Sequence, residues 1–253
     1  AFRNGVIDIA ALTLDEALLL VENGHDIRVI LVADISEGAD VIVGHSRFNR
    51  LTDMRNQRVG VESNALGTFV LTRALQKNGM TLSDIQPVYL TLDESEKAFA
   101  EGRIDGVVTF EPYRTRLLRE GAKELFTSKE IPGEIVDVFV VRQSLLKSRH
   151  DAITAFTTAW FKALTYLKTK PVEAAKLLAQ RLKLEPAEVS ASFDGLVLPD
   201  MADNRRMLGG GKNGLGPAAE RLAKVMTEAK LLAGAVSVAS LFDAIGLPSA
   251  EAN

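Results

Sequence analysis

The stretch AFRNGVIDIAAL at residues 1–12 returns at residues 98–110 as AFAEGRIDGVVTF. Ala1, Phe2, Gly5, Ile7 and Asp8 of the first copy correspond to Ala98, Phe99, Gly102, Ile104 and Asp105 of the second. In each copy the residues before the glycine read as the last turn of a helix, the glycine as its left-handed stop, and the apolar run that follows as a strand. In the first copy the strand is VIDIAAL, Thr13 and Glu16 have capping-box spacing, and DEALLLVENG reads as a helix ending at Asn23-Gly24. In the second, Asp93 and Glu96 are spaced to cap a helix through Ala100, IDGVVTF is the strand, and Pro112 suits the first turn of another helix. A helix-strand-helix unit repeated at this separation is too long for a solenoid, whose repeats run roughly 20–50 residues, and fits two similar lobes.

Between the copies lie IRVILVA, ADVIVGH, QRVGVE and QPVYL, strands rich in β-branched residues, and an amphipathic helix from about Ala65 to Asn78. Such alternation predicts an α/β fold with mainly parallel sheets covered by helices. From Ser144 the pattern changes to long helical segments at 144–169, 171–183 and 185–193. Phe156, Trp160, Phe161, Leu164 and Leu167 recur there at helical spacing, as core packing requires. GGGKNGLGP (209–217) reads as a flexible connection, AAERLAKVMTEAKLL as a last amphipathic helix, and Pro248 onward as a loose tail. The order of segments assigns residues 1–40 and 137–253 to lobe one and 41–136 to lobe two, with hinges near Glu37 to Val41 and Val136 to Val138.

Of the 253 residues, 47% are apolar, enough for a sizeable core. Lys and Arg total 30 against 33 Asp and Glu, so there is no surplus of positive charge for a nucleic-acid backbone. The absence of cysteine excludes disulfides, thiolate metal sites and cysteine nucleophiles. No apolar run is long enough to span a bilayer. His25, His45 and His150 are far apart with no ligand-spaced partner, which argues against a metal site, and no nucleophile with a recognisable base or phosphate loop is present.

In α/β sheets the ligand-facing groups sit at the carboxyl ends of the strands. In the two copies that position falls at Leu12 to Asp15 and at Thr109 to Tyr113, and if the lobes face each other both segments look into one cleft. Thr13 and Asp15 are therefore candidates in the first mouth, Glu111 and Tyr113 in the second; Asp15 and Glu111 have the alternative of simply favouring a helix start. Ser63, Asn64, Ala65 and Thr68 open the helix after QRVGVE, where unpaired N–H groups suit an anionic head, and where Ser63 or Asn64 equally serves as a cap. Asp40 and Asp137, acids within otherwise β-branched segments, need a partner or solvent. With Glu111 they would surround an ammonium or amidine-like group, or alternatively bind amides and arginines across the hinge. A helix start facing acids suits a zwitterion such as an aminosulfonate.

The residues AFRNGVIDIAAL, LTDMRNQRVGVESNALGTFVLTRAL (51–75), FAEGRIDGVVTFEPYRTRL (99–117) and VDVFVVRQSLL (136–146) resemble, in order and spacing, the solute-binding proteins of bacterial ABC importers. The group is the one taking nitrate, sulfonates, taurine and thiamine precursors, and the similarity covers roughly residues 1–200. The resemblance implies a type II periplasmic binding fold of two α/β lobes joined by two hinge strands. It implies a non-enzymatic role without cofactors: capture of a small polar solute and delivery to a membrane permease, in the periplasm or anchored outside the cytoplasm. Glu111 falls on the family's acidic position before proline. Members normally carry an export signal, a strand and a helix ahead of the first phrase, whereas this sequence opens inside the helix. Related folds also occur in a pyrimidine synthase, in menaquinone-pathway enzymes and in sensor domains, so an enzymatic or sensing role is the alternative.

Overall fold

The computed structural model describes residues 1–248; the tail expected after Pro248 lies almost wholly outside them. The chain forms two compact units. Unit 1 comprises Ala1–Ile35, Gly133–Ala174 and Val197 onward, and unit 2 comprises Ser36–Pro132 and Ala175–Leu196. The sequence reading keeps everything after residue 137 in one lobe, whereas Ala175–Leu196 packs within unit 2.

In chain order, unit 1 opens with β1 (Ile9–Thr13), α1 (Leu14–Glu22) and β2 (Ile27–Ser36). Unit 2 follows with β3 (Val41–Gly44), β4 (Arg58–Val61), α2 (Ala65–Lys77), β5 (Gln86–Tyr89), α3 (Leu92–Ala100), β6 (Gly106–Thr109), α4 (Tyr113–Arg119) and β7 (Lys123–Thr127). The chain returns through β8 (Val136–Arg142), α5 (Leu145–Ser148), α6 (His150–Thr169), α7 (Pro171–Leu182), α8 (Pro186–Val189), β9 (Leu196–Val197), α9 (Met201–Leu208) and α10 (Gly216–Glu228).

The repeated phrase does in both units what its glycine predicts. Gly5 and Gly102 stop their turns at φ 72° and 68°, where a Cβ would be strained. Phe2 and Phe99 are both buried behind them. In each case an arginine from a neighbouring strand clasps the turn. Arg142 reaches the carbonyls of Phe2 and Ile7 and pairs with Asp8 at 3.6 Å. Arg58 bonds the Gly102 carbonyl at 2.9 Å and Asp105 at 2.8 Å. The copies differ in depth: Asp105 is buried and also meets Arg47 at 2.6 Å, while Asp8 lies in water. The first strand begins at Ile9, later than expected: Val6 N–H donates to the Ala1 carbonyl and Arg142 donates to the Ile7 carbonyl, and both side chains are exposed.

The sheet pairing is mixed, not mainly parallel. In unit 1, β8 lies between β1 and β2 and runs antiparallel to both, and two-residue β9 completes the order β1-β8-β2-β9. In unit 2 the order is β5-β4-β6-β3-β7, parallel across β5-β4-β6 and antiparallel at β3. β3 and β8 each follow a point where the chain changes unit, and each runs opposite to the strands on either side of it. The cap of α3 also differs from the sequence reading. Thr91, not Asp93, is the N-cap; its N–H is accepted by Glu94 at 2.9 Å, and a threonine at the strand end is better placed for this than an acid already in the first turn.

The core of unit 1 packs Ile30 and Val141 against Leu146 and Ile153. Phe156 and Trp160 meet Phe139 edge-on at 4.9 and 5.2 Å. Where β2 loses register between Val32 and Asp34, buried Asn204 takes the place of a strand neighbour. Its Oδ1 accepts from Val32 N–H at 2.7 Å and its Nδ2 donates to the Val32 carbonyl at 3.1 Å. The core of unit 2 gathers Val41, Val43, Ala98, Phe99, Ile104, Val107 and Leu117.

Candidate functional site

The pairings of unit 2 bring five segments to one end of its sheet. β4, β5 and β6 are parallel, so Glu62, Leu90 and Phe110 follow their carboxyl ends together. Antiparallel β3 pairs Val41 with Thr109 and with Thr127, so Asp40 and Ser128 stand at the same end. There Asp40, Glu62, Leu66, Gly67, Val70, Val108 and Phe110 line a narrow pocket of about 10 Å³, roughly the room one water-sized group needs. Asp40 is 8% exposed, and burial raises its carboxyl pKa while the Ser36 hydroxyl pulls the other way.

The start of α2 forms another wall of this pocket through Leu66 and Gly67. Asn64 caps it, accepting from Gly67 N–H at 2.8 Å and donating Nδ2 to Glu62 at 3.2 Å. Ala65 and Leu66, in the first turn, offer N–H groups that have no helical carbonyl to pair with. Ser63 is exposed beside them. Thr68 donates its hydroxyl to the Asn64 carbonyl at 3.0 Å, so that proton is already used. Glu62 is the pocket residue that sequence reasoning missed. Its position directly after a strand was legible, but nothing in the pattern RVGVE distinguishes it from a solvated strand end.

Glu111 and Tyr113 are engaged locally. The Glu111 carboxylate accepts from Thr115 N–H at 3.2 Å and pairs with Arg114 at 3.3 Å, serving the start of α4. Tyr113 donates its hydroxyl to Asp93 at 2.6 Å, with Arg116 stacked 4.4 Å above its ring. That bond to a carboxylate holds the phenol above its ordinary pKa.

In unit 1, Thr13 at the end of β1 stands opposite Asp137 on β8, and Asp137 opposite Asp34 near the end of β2. Asp34 was not picked out from sequence, although it carries the same signal as Asp137: an acid in a β-branched run. Asp15 is 1% exposed; its Oδ2 and the Thr13 hydroxyl are buried without a hydrogen-bond partner. Burial pushes the Asp15 pKa up to about 6. Among the described residues, no three His, Cys, Asp or Glu side chains are grouped to hold a metal, and no helix is long and apolar enough to cross a membrane.

The profile of the NMT1-like family matches residues 1–183. The chain belongs to the NMT1-like family. Among curated relatives of this NMT1-like chain, a protein of Escherichia coli K12 named for binding aliphatic sulfonates is 23% identical over 195 residues, 76% of this chain and 61% of its own length. A protein of Brucella abortus named only as a binding protein is 25% identical, covering 74% and 62%. The chain thus spans about three fifths of the length of these relatives. The fold recurs in solved structures, two of which are named here. The alkanesulfonate-binding protein SsuA of Xanthomonas axonopodis pv. citri, bound to MOPS, superposes with TM-score 0.77 at 20% identity, covering 94% of this chain and 81% of that one. The periplasmic aliphatic sulphonate binding protein SsuA of Escherichia coli gives 0.76 at 18%, covering 96% and 77%. The fold is accordingly the α/β type II periplasmic-binding-protein fold that the resemblance implied, with mixed and not mainly parallel sheets.

Proposed function

We infer that this chain is the solute-binding component of an ABC importer, working outside the cytoplasm and passing a small polar organic solute to a membrane permease. The observation that carries this reading is the pocket of unit 2, where the first turn of α2 and the Asp40 carboxylate share one small space. A helix start favours an anionic group such as a sulfonate, and a buried carboxylate favours a cationic one. The space admits one water-sized group, so a compact zwitterion of the aminosulfonate type would enter it with its ammonium alone and keep its sulfonate at the helix start beside exposed Ser63. Family membership and the sulfonate-binding names of relatives support the same class.

The test is a thermal-shift panel on protein unfolded and refolded to remove any trapped solute, using taurine, alkanesulfonates, nitrate, aminopyrimidines and amino acids. A ligand at a hundred times its Kd adds about 2.7 kcal/mol, a rise of roughly 5–10 °C for a chain of this size. A selective rise for taurine-like zwitterions supports the reading; a flat response across the panel counts against it.

A further inference from the structure

A cleft of about 540 Å³ opens in unit 1 between α6 and α9, within the size range of small-molecule sites. Its floor is apolar: Phe161 and Leu164 of α6, both 7% exposed, with Met201 and Pro248. Its walls are pinned from behind. Asn204 ties α9 to β2 through the Val32 amide and carbonyl. Thr157 donates its hydroxyl to the Gly246 carbonyl at 2.6 Å, and Arg205 donates to the Pro248 carbonyl. Gly246 passes so close to α6 that a Cβ there would stand 2.5 Å from Ile153 Cγ2. The shape is therefore set before any ligand arrives. Thr158, Lys162, Thr165 and Lys168 follow one another along α6 at helical spacing and share the face toward the cleft. Thr158 and Thr165 give their hydroxyl protons to the carbonyls of Thr154 and Phe161, so the side-chain donors left are the two ammonium groups. Lys170 pairs with Glu173 at 3.6 Å, but among the described residues neither Lys162 nor Lys168 has a carboxylate within ion-pair distance. Asp200, the acid of the lining, already caps α9 by accepting from Asp203 N–H at 2.9 Å. Two cations against one committed carboxylate leave the cleft net positive above an apolar floor.

We propose that this cleft is a second ligand site, sharing no residue with the pocket of unit 2, and that it takes an organic anion with an apolar body, of which a medium-chain carboxylate is the simplest form. The carboxylate lies between Lys162 and Lys168, and the chain lies along Phe161, Leu164, Met201 and Pro248. Each lysine arm is flexible enough to reach a shared oxyanion while its methylenes cover the chain. Burial of the chain supplies the affinity, and the ammonium pair supplies the choice of sign. A neutral amphiphile gains only the first, and a cationic one meets repulsion from both lysines. The site stands independently of the solute carried in unit 2.

The test follows the backbone amides of the full chain by NMR while octanoate, octanol, octylammonium and acetate are added in separate titrations, each below its micelle-forming concentration. Octanoate should shift the amides of Thr165, Lys168, Met201 and Ala202 saturably. It should bind at least about tenfold more tightly than octanol, a difference of about 1.4 kcal/mol, with octylammonium weaker still. Acetate, which carries the charge without the chain, should also bind at least about tenfold more weakly than octanoate. Lys162→Gln combined with Lys168→Gln replaces two exposed side chains and leaves the floor intact. That variant should melt as wild type does and hold octanoate no better than octanol. Equal affinity of wild type for octanoate and octanol would reduce the cleft to an unselective apolar surface and overturn the proposal. Saturable shifts confined to residues outside the cleft, or an octanoate affinity that survives in the double variant, would overturn it as well. Taurine added to the octanoate-loaded chain should leave the cleft amides where they are, and displacement of octanoate would show that the two ligands compete for one site.

Discussion

At the level of single residues, Asp15 shows what burial does to a carboxyl that sequence places at a helix start. The spacing of Thr13 and Glu16 was legible, and Glu16 does accept from Thr13 N–H at 3.3 Å. What the spacing does not reveal is that Asp15 turns inward, because helix phase relative to the sheet depends on packing partners far along the chain. Its folded pKa of about 6 lies above the ordinary 3.8, so the folded chain holds the proton more tightly than the unfolded one. The associated stability is complete below about pH 4 and is lost as pH rises through 6. Asp15→Asn removes the charge and keeps the shape. Thermal melts should show it more stable than wild type by up to about 3 kcal/mol at pH 7.5, with the gain vanishing at pH 4. Equal melting temperatures at pH 7.5 would show that Asp15 finds a partner when ionised. Asn204 makes the opposite prediction. Its side chain satisfies Val32 at the irregularity of β2, so Asn204→Ala should cost about 2–4 kcal/mol in urea unfolding.

Among elements, the repeated phrase was the most informative signal, because a glycine at positive φ after a buried aromatic is a backbone requirement that tolerates few substitutes. Strand and helix identities followed from it and from β-branched runs. Pairing direction did not: β3 and β8 each follow a change of unit and run antiparallel to their neighbours, and nothing in their composition marks it. The two copies also carry unequal weight. Asp105→Ala removes a buried carboxylate that accepts from the Arg58 amide and pairs with the exposed guanidinium groups of Arg58 and Arg47, and should cost about 1–2 kcal/mol. Asp8→Ala, in an exposed pair, should stay within about 0.5 kcal/mol. Urea midpoints of the two variants decide this, and equal losses would mean that the copies are energetically equivalent. The candidate site was read less completely than the fold. Asp40, read as an acid in a β-branched segment, and Asn64, read at a helix start, line or adjoin one pocket, whereas Glu111 and Tyr113, which strand-end logic selected, are engaged by Arg114 and Asp93. An acid before a helix looks the same in sequence whether it faces a solute or an arginine.

For the whole molecule, the central claim is that an NMT1-like chain built from two compact units holds a small zwitterion, with the cationic end at Asp40 and the anionic end at the start of α2. The claim distinguishes two ligands of equal size. Taurine and ethanesulfonate share the sulfonate, and only taurine carries the ammonium. Isothermal titration of both into refolded wild-type protein and into Asp40→Asn is the most direct measurement. Taurine should bind wild type at least about tenfold more tightly than ethanesulfonate, a difference of about 1.4 kcal/mol, and Asp40→Asn should abolish this preference. Equal affinity for the two in wild type, or a taurine preference that survives in Asp40→Asn, would contradict the claim.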